Sequence, residues 1–307
     1  MKVVLTGATG FIGSAVAAEL LARGHAVFAL TRPESDLSRL KRFGGWNGIS
    51  CDSWRDSVVK KNLLTVSPDT FVHCAWQGVV GAERNAAWQI TTNLRITSDA
   101  LELAKAVGCS HWVSLGSQAE YGNLNHRISE ACPLRPTTVY GKAKLIAGQA
   151  ALAYCDAEGM KATIMRVFST YGPGDAPSWF IPYIIREFSA QRAPKLTACE
   201  QLWDYLYVTD AARAIVSVVE TRAVDVFNLG SGRAVQLRAV VELIKKEMNV
   251  TEEPDFGAVQ YRPDQVMCLE ADITRLTQAT GWTPTVSLES GIRNTVKFTT
   301  KTNTDQS

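Results

Sequence analysis

The stretch Val3-Val4-Leu5-Thr6-Gly7-Ala8-Thr9-Gly10-Phe11-Ile12-Gly13 constrains this chain more than any other. Val3 to Leu5 is a short aliphatic run of the kind that forms a buried strand. Glycines follow at i, i+3 and i+6, and the alanine-rich run Ser14 to Arg23 then has helical spacing. Strand, glycine turn and helix in that order open a dinucleotide-binding α/β unit. Gly7 permits the tight turn, Gly10 lets the backbone approach a pyrophosphate, and Gly13 lets the helix pack closely. The helix N-terminus offers N–H groups and a positive dipole end to the phosphates. Thr9, Phe11 and Ile12 belong to the same cofactor turn.

The segments that follow alternate strand and helix. Ala26 to Leu30 reads as a second strand ending at Thr31-Arg32-Pro33. An acid at this place would bond the ribose 2′-hydroxyl of NAD. Arg32 stands there instead, and its planar fork suits a 2′-phosphate, so NADP is expected, with NAD the alternative. Gly48 to Asp52 reads as a third strand. Asp52 either accepts a hydrogen bond from the adenine amino group or caps a helix starting near Ser53. Thr70 to Cys74 is a fourth strand, running into Ala75-Trp76-Gln77-Gly78. Loops at the carboxyl ends of such strands bind ligands, which places Ala75 at the cofactor and Trp76 and Gln77 at the substrate. A helix from Trp88 to Val107 and a strand from His111 to Leu115 precede Ser117.

Beyond residue 170 proline and aromatic residues become frequent and the alternation loses regularity. The expected organisation is α/β, a doubly wound parallel sheet with a smaller C-terminal substrate-binding lobe. The dinucleotide-binding domain covers 1–168, with 203–229 returning to it. The lobe covers 169–202 and 230–297, and 298–307 reads as a disordered polar tail.

Composition narrows the function. The chain has 307 residues, 46% hydrophobic, enough for a sizeable core. Net charge is +2 with the signs mixed, so neither nucleic acid nor a membrane surface is an expected partner. Seven cysteines, an odd number without a CxxC pair, read as reduced thiols of a cytoplasmic protein. The first strand begins at Val3, so no signal peptide is expected. The four histidines do not cluster, and no metal is expected.

Three residues on separate elements make a mechanism: Ser117, Tyr140 and Lys144. Tyr140 and Lys144 are i, i+4 on a helix, their Cβ atoms about 5–6 Å apart. A cation one turn away favours the phenolate and is expected to lower the tyrosine pKa from about 10. Tyr140 then exchanges a proton with a carbonyl or alcohol, Ser117 orients the same oxygen, and a nicotinamide exchanges the hydride.

With these motifs the chain resembles the extended short-chain dehydrogenase/reductases of the nucleotide-sugar epimerase/dehydratase type, over about residues 1 to 296. The motifs are Thr6 to Gly13, Asn93-Leu94, Ser114 to Gly122, Tyr140 to Lys144, Arg166 to Gly174 and Arg262-Pro263-Asp264. The resemblance implies a Rossmann sheet, a bound nicotinamide cofactor, a nucleotide-sugar substrate and a homodimer. It assigns catalysis to Ser117, Tyr140 and Lys144, a cofactor-side role to Asn93, and diphosphate binding to Arg262. Departures matter too. Dehydratases of the family carry an Asp–Glu pair after the catalytic hydroxyl, where this chain has Gln118 and Ala119. Ser169 replaces a common asparagine. Trp203 replaces a common diphosphate-binding arginine, and reads as either a core or a base-stacking residue. The resulting expectation is an NADPH-dependent reductase of a nucleotide-linked 4-keto-6-deoxy sugar. The alternatives are a nucleotide-sugar 4-epimerase with tightly bound NAD and, from a different class, a non-catalytic cofactor-sensing protein.

Overall fold

The computed structural model describes residues 1–263 and 265–304. Its central sheet is parallel: β1 (Lys2–Thr6), β2 (Ala26–Thr31), β3 (Asn47–Ser50), β4 (Thr70–His73), β5 (His111–Ser117), β7 (Lys161–Val167) and β11 (Asp225–Leu229). The spatial order is β11-β7-β5-β4-β1-β2-β3. Strand order therefore reverses between β1 and β4, and open α/β sheets bind ligands at that point. The glycine turn after β1 and the Ala75 loop after β4 both sit there.

Alternation along β1 shows how the sheet is covered. Val3 and Leu5 pack with Val16 and Leu20 of α1 (Phe11–Ala22) and Ile215 and Val218 of α6 (Val208–Thr221). Val4 faces the other layer. There Leu63 of α2 (Ser57–Val66), Leu103 of α3 (Trp88–Ala106) and Ala151 of α4 (Val139–Ala157) close over Phe71 and Trp112. Both faces are buried, which is why the strands read as unbroken apolar runs.

A second sheet runs β12 (Ala234–Gln236), β10 (Leu202–Tyr207), β14 (Cys268–Ala271) and β6 (Arg127–Ile128), with β8 (Ser169–Tyr171) also paired to β10. A two-stranded piece joins β9 (Lys195–Leu196) to β13 (Asp255–Phe256). A separate core forms where Ile184 and Phe188 of α5 (Phe180–Ser189) meet Val240 and Ile244 of α7 (Leu237–Met248) and Ile292 and Val296 of α9 (Leu288–Thr304). The short α8 (Thr274–Thr280) buries Leu276 against the first core.

Three expectations need correction. Of the segment 203–229, α6 and β11 do belong with the central sheet, but β10 lies inside the second one. The tail expected from 298 is helical through Thr304, because Ile292 and Val296 anchor α9 in a core; 305–307 lie outside the described residues. The helix after β3 starts at Ser57 and its cap is Asp56, whose side chain accepts the Val58 N–H at 2.8 Å, so Asp52 caps nothing there and is exposed. No helix among the described residues is long and apolar enough to cross a membrane.

Candidate active site

The glycine turn fits a dinucleotide. Gly7 has φ +70°, and a Cβ there would lie 2.6 Å from the Ala75 N, so the turn and the β4 loop touch backbone to backbone. A Cβ on Gly13 would fall 2.0 Å from the Gly7 carbonyl oxygen. Gly10 differs: it is exposed, and its nearest contact would be 3.2 Å away. That open cradle lies at the N-terminus of α1, which has no side-chain cap and no acid in its first turn. These are the donors and the room a pyrophosphate needs. Thr9, Phe11 and Ile12 surround the turn, partly exposed.

Ser117 closes β5. Its Oγ accepts the Ala119 N–H at 3.2 Å, and its N–H donates to Glu120 at 2.8 Å. Glu120 is only 1% exposed and is held by Arg166 at 2.7 Å. Helix α4 begins at Val139, where the Thr138 side chain accepts the Gly141 N–H at 3.0 Å. Gly141 lets the helix sit on the 118–120 turn, since a Cβ there would lie 2.5 Å from the Ala119 carbonyl oxygen. That close approach sets Tyr140 beside Ser117, near enough for the serine side chain to act on the phenol. Tyr140 is 7% exposed and Lys144 6%.

The electrostatics depart from the expectation. Burial raises the Tyr140 pKa above its ordinary value; the Ser117 side chain and the Arg84 guanidinium oppose this, and Glu120 adds to it. Lys144 lies one helical turn further along α4. Its Nζ donates to the Leu115 carbonyl at 2.7 Å and sits 3.8 Å from the centre of the Trp76 ring. Burial also pushes the lysine itself down to about 7, against the pull of Glu120 and Cys74. The i, i+4 spacing puts both residues on α4, and the ammonium is engaged by groups from β5 and from the loop after β4.

Trp76 meets Tyr140 edge-on, with centroids 6.1 Å apart, and donates to Gln89 at 3.0 Å. Asn93 is fully buried. Its carbonyl accepts the Gln77 N–H at 3.0 Å, while its amide donates to the Gln77 carbonyl at 3.1 Å and to Gln89 at 2.9 Å. Asn93 thus fixes the Trp76–Gln77 loop, the loop expected beside a cofactor. Gln77 is exposed. Arg32 is exposed at the end of β2, 3.2 Å from Glu34. Ser169 and Trp203 meet across β8 and β10, the indole N–H donating to the hydroxyl at 2.5 Å. Burial lowers the Arg84 pKa, and the exposed Arg262 adds to this against the pull of Tyr140.

Two site residues escaped the sequence. Arg84, in the turn Gly81–Asn85, places its guanidinium 4.4 Å over the Tyr140 ring. Arg39 donates to the Thr9 carbonyl at 3.1 Å and to the Gly174 carbonyl at 2.8 Å, bridging the glycine turn to the loop after β8. Both lie in irregular segments without a periodic signal.

Known proteins match this arrangement. The family model "NAD dependent epimerase/dehydratase family" covers residues 3–230. The dTDP-6-deoxy-L-talose 4-dehydrogenase (NAD(P)(+)) of Kitasatospora kifunensis is 28% identical over 306 residues, 95% of this chain and 93% of its own. A dTDP-glucose 4,6-dehydratase of Streptomyces griseus is 28% identical over 315 residues, 96% of this chain and 93% of its own. Among solved structures, the UDP-glucose 4-epimerase of Thermotoga maritima with UDP-glucose superposes with a TM-score of 0.87 at 26% identity, covering 99% of this chain and 100% of its own. The alignment runs from the first glycine turn past β11, and the chain belongs to the NAD dependent epimerase/dehydratase family.

Proposed function

We propose that the chain is an NADPH-dependent reductase of a nucleotide-linked 4-keto-6-deoxy sugar. The observation that carries this reading is the turn after Ser117. Removing water from a hexose needs a base and an acid at the sugar. Gln118 and Ala119 cannot ionise, and Glu120 is bound to Arg166 and the Ser117 N–H. Carbonyl reduction asks for less. Bound nicotinamide supplies the hydride. Ser117 holds the carbonyl oxygen, and Tyr140, kept protonated by burial, gives that oxygen its proton. Lys144 lies one turn along the same helix, at the floor of the site. The similarity to a 4-dehydrogenase of a 6-deoxy sugar nucleotide agrees with this chemistry.

NADP is preferred in this reading because Arg32 and Arg39 bring positive charge to the end of β2 and the glycine turn. Arg262, Trp76, Gln77, Ser169 and Trp203 form the substrate side. A homodimer belongs to this reading, as the likeness to the family implies. A cytoplasmic location suits seven free thiols. A 4-epimerase is the second reading, favoured by the likeness to a UDP-glucose 4-epimerase.

Mass spectrometry separates these readings. Purified protein is given NADPH and the 4-keto-6-deoxy product of a nucleotide-sugar dehydratase, or an intact nucleotide-hexose. Gain of two hydrogens on the keto-sugar, with the intact sugar untouched, is the expected result. Loss of water from the intact sugar overturns the proposal. An isomer of unchanged mass without NADPH consumption establishes the epimerase.

A further inference from the structure

Arg84 arrives at Tyr140 by construction. The turn Gly81–Asn85 that carries it is tied down on either side of Arg84. Asn85 accepts the N–H of Val139, the residue before Tyr140, at 3.2 Å, and the Gln89 amide donates to the Glu83 carbonyl at 3.1 Å. Between these anchors the guanidinium lies 4.4 Å from the Tyr140 ring centre. Its own hydrogen bond is a long one, to the Val79 carbonyl at 3.3 Å, and it has no carboxylate partner among the described residues. A half-buried guanidinium without a carboxylate is costly unless its charge is used. Its charged neighbour Arg262 repels it.

We propose that Arg84 is the electrostatic partner of Tyr140, stabilising the phenolate that forms when the tyrosine gives up its proton. The proposal rests on the reading of Tyr140 as proton donor. In the reduction the Tyr140 O–H bond breaks, the proton passes to the substrate oxygen, and the electron pair stays on Tyr140. Negative charge then spreads into a ring with a guanidinium on its face, an arrangement whose attraction grows with that charge. Arg84 shares this task with Ser117. Ser117 favours ionisation of the phenol, Glu120 opposes it and is itself paired to Arg166, and the Lys144 Nζ is engaged by the Leu115 carbonyl and the Trp76 ring.

The test needs neither substrate nor cofactor. Protein labelled with 13Cζ-tyrosine is titrated by NMR, and Tyr140→Phe identifies the signal among the eight tyrosines. In Arg84→Gln the Tyr140 midpoint rises by about one unit or more, so its phenolate fraction near pH 10 falls about tenfold. Arg84→Lys, which keeps the charge, restores at least half of the shift. An unchanged midpoint in a folded Arg84→Gln protein overturns the proposal. Failure of the proton-donor reading is seen separately, as normal turnover in Tyr140→Phe.

Discussion

The Lys144 ammonium lies 3.8 Å from the centre of the Trp76 indole, so the lysine of the site is roofed by an aromatic ring. The cavity at this point is only about 10 Å³, lined by His73, Trp76, Thr97, Ser114, Leu115 and Lys144 among others. That is room for about one water. Any ligand that reaches Lys144 has to displace the indole. Binding of NADP+ is therefore expected to change tryptophan fluorescence, and Trp76→Phe to remove most of that change although seven other tryptophans remain of the eight. An undiminished change in the variant contradicts the displacement.

Lys144 also makes a prediction about stability. Its pKa is about 7 in the folded chain against the ordinary 10.5. Between those values the unfolded chain binds a proton that the native one does not, so this residue makes stability rise with pH across that window. Buried tyrosines such as Tyr140, raised in the fold, work in the opposite sense at the alkaline end. The difference between wild type and Lys144→Met isolates the lysine. Urea unfolding at about pH 7 and pH 9.5 is expected to show a gain of roughly 3 kcal/mol in the wild type relative to the variant. Equal slopes refute the burial of this charge.

The cofactor preference turns on Arg32. Its side chain is 62% exposed and only loosely paired with Glu34, so redirecting it to a 2′-phosphate costs little. Charge-assisted hydrogen bonds of about 1.5–3 kcal/mol correspond to roughly ten- to hundredfold tighter binding of NADPH than NADH. Arg32→Ala is expected to erase the preference and spare NADH. Calorimetry showing that the wild type prefers NADH rejects the assignment.

The glycine turn has no slack. Gly13→Ala brings a methyl group to 2.0 Å from the Gly7 carbonyl oxygen, which only movement of α1 or the turn can relieve. Overpacking of this kind costs about 1–3 kcal/mol and distorts the phosphate cradle. Lower thermal stability together with lost cofactor binding is expected; wild-type affinity in Gly13→Ala speaks against the cradle.

How far the sequence reveals this molecule depends on which physics is local. The β1–turn–α1 unit was legible because glycine spacing and apolar runs report backbone geometry directly. The i, i+4 relation of Tyr140 and Lys144 follows from helical pitch, but the direction of the lysine does not, since the Leu115 carbonyl reaches it from β5 and the Trp76 ring from the loop after β4. Arg84 left no trace, because its contact with Tyr140 exists only once the 81–85 turn is pinned to α4. Helix α9 was hidden by its threonines, poor helix formers that here return their hydroxyls to carbonyls one turn back, as Thr295 does to Gly291 and Thr299 to Thr295. Only the buried pair Ile292 and Val296 marked its inner face.

The central claim is that Tyr140 gives the proton. Tyr140→Phe keeps the ring under Arg84 and beside Trp76 while removing the hydroxyl. The decisive measurement is steady-state NADPH oxidation with the keto-sugar nucleotide, alongside cofactor affinity by titration. The expected result is a fall in kcat of at least about 10²-fold with NADPH affinity essentially kept. Near-normal turnover in the Tyr140→Phe protein would contradict the account.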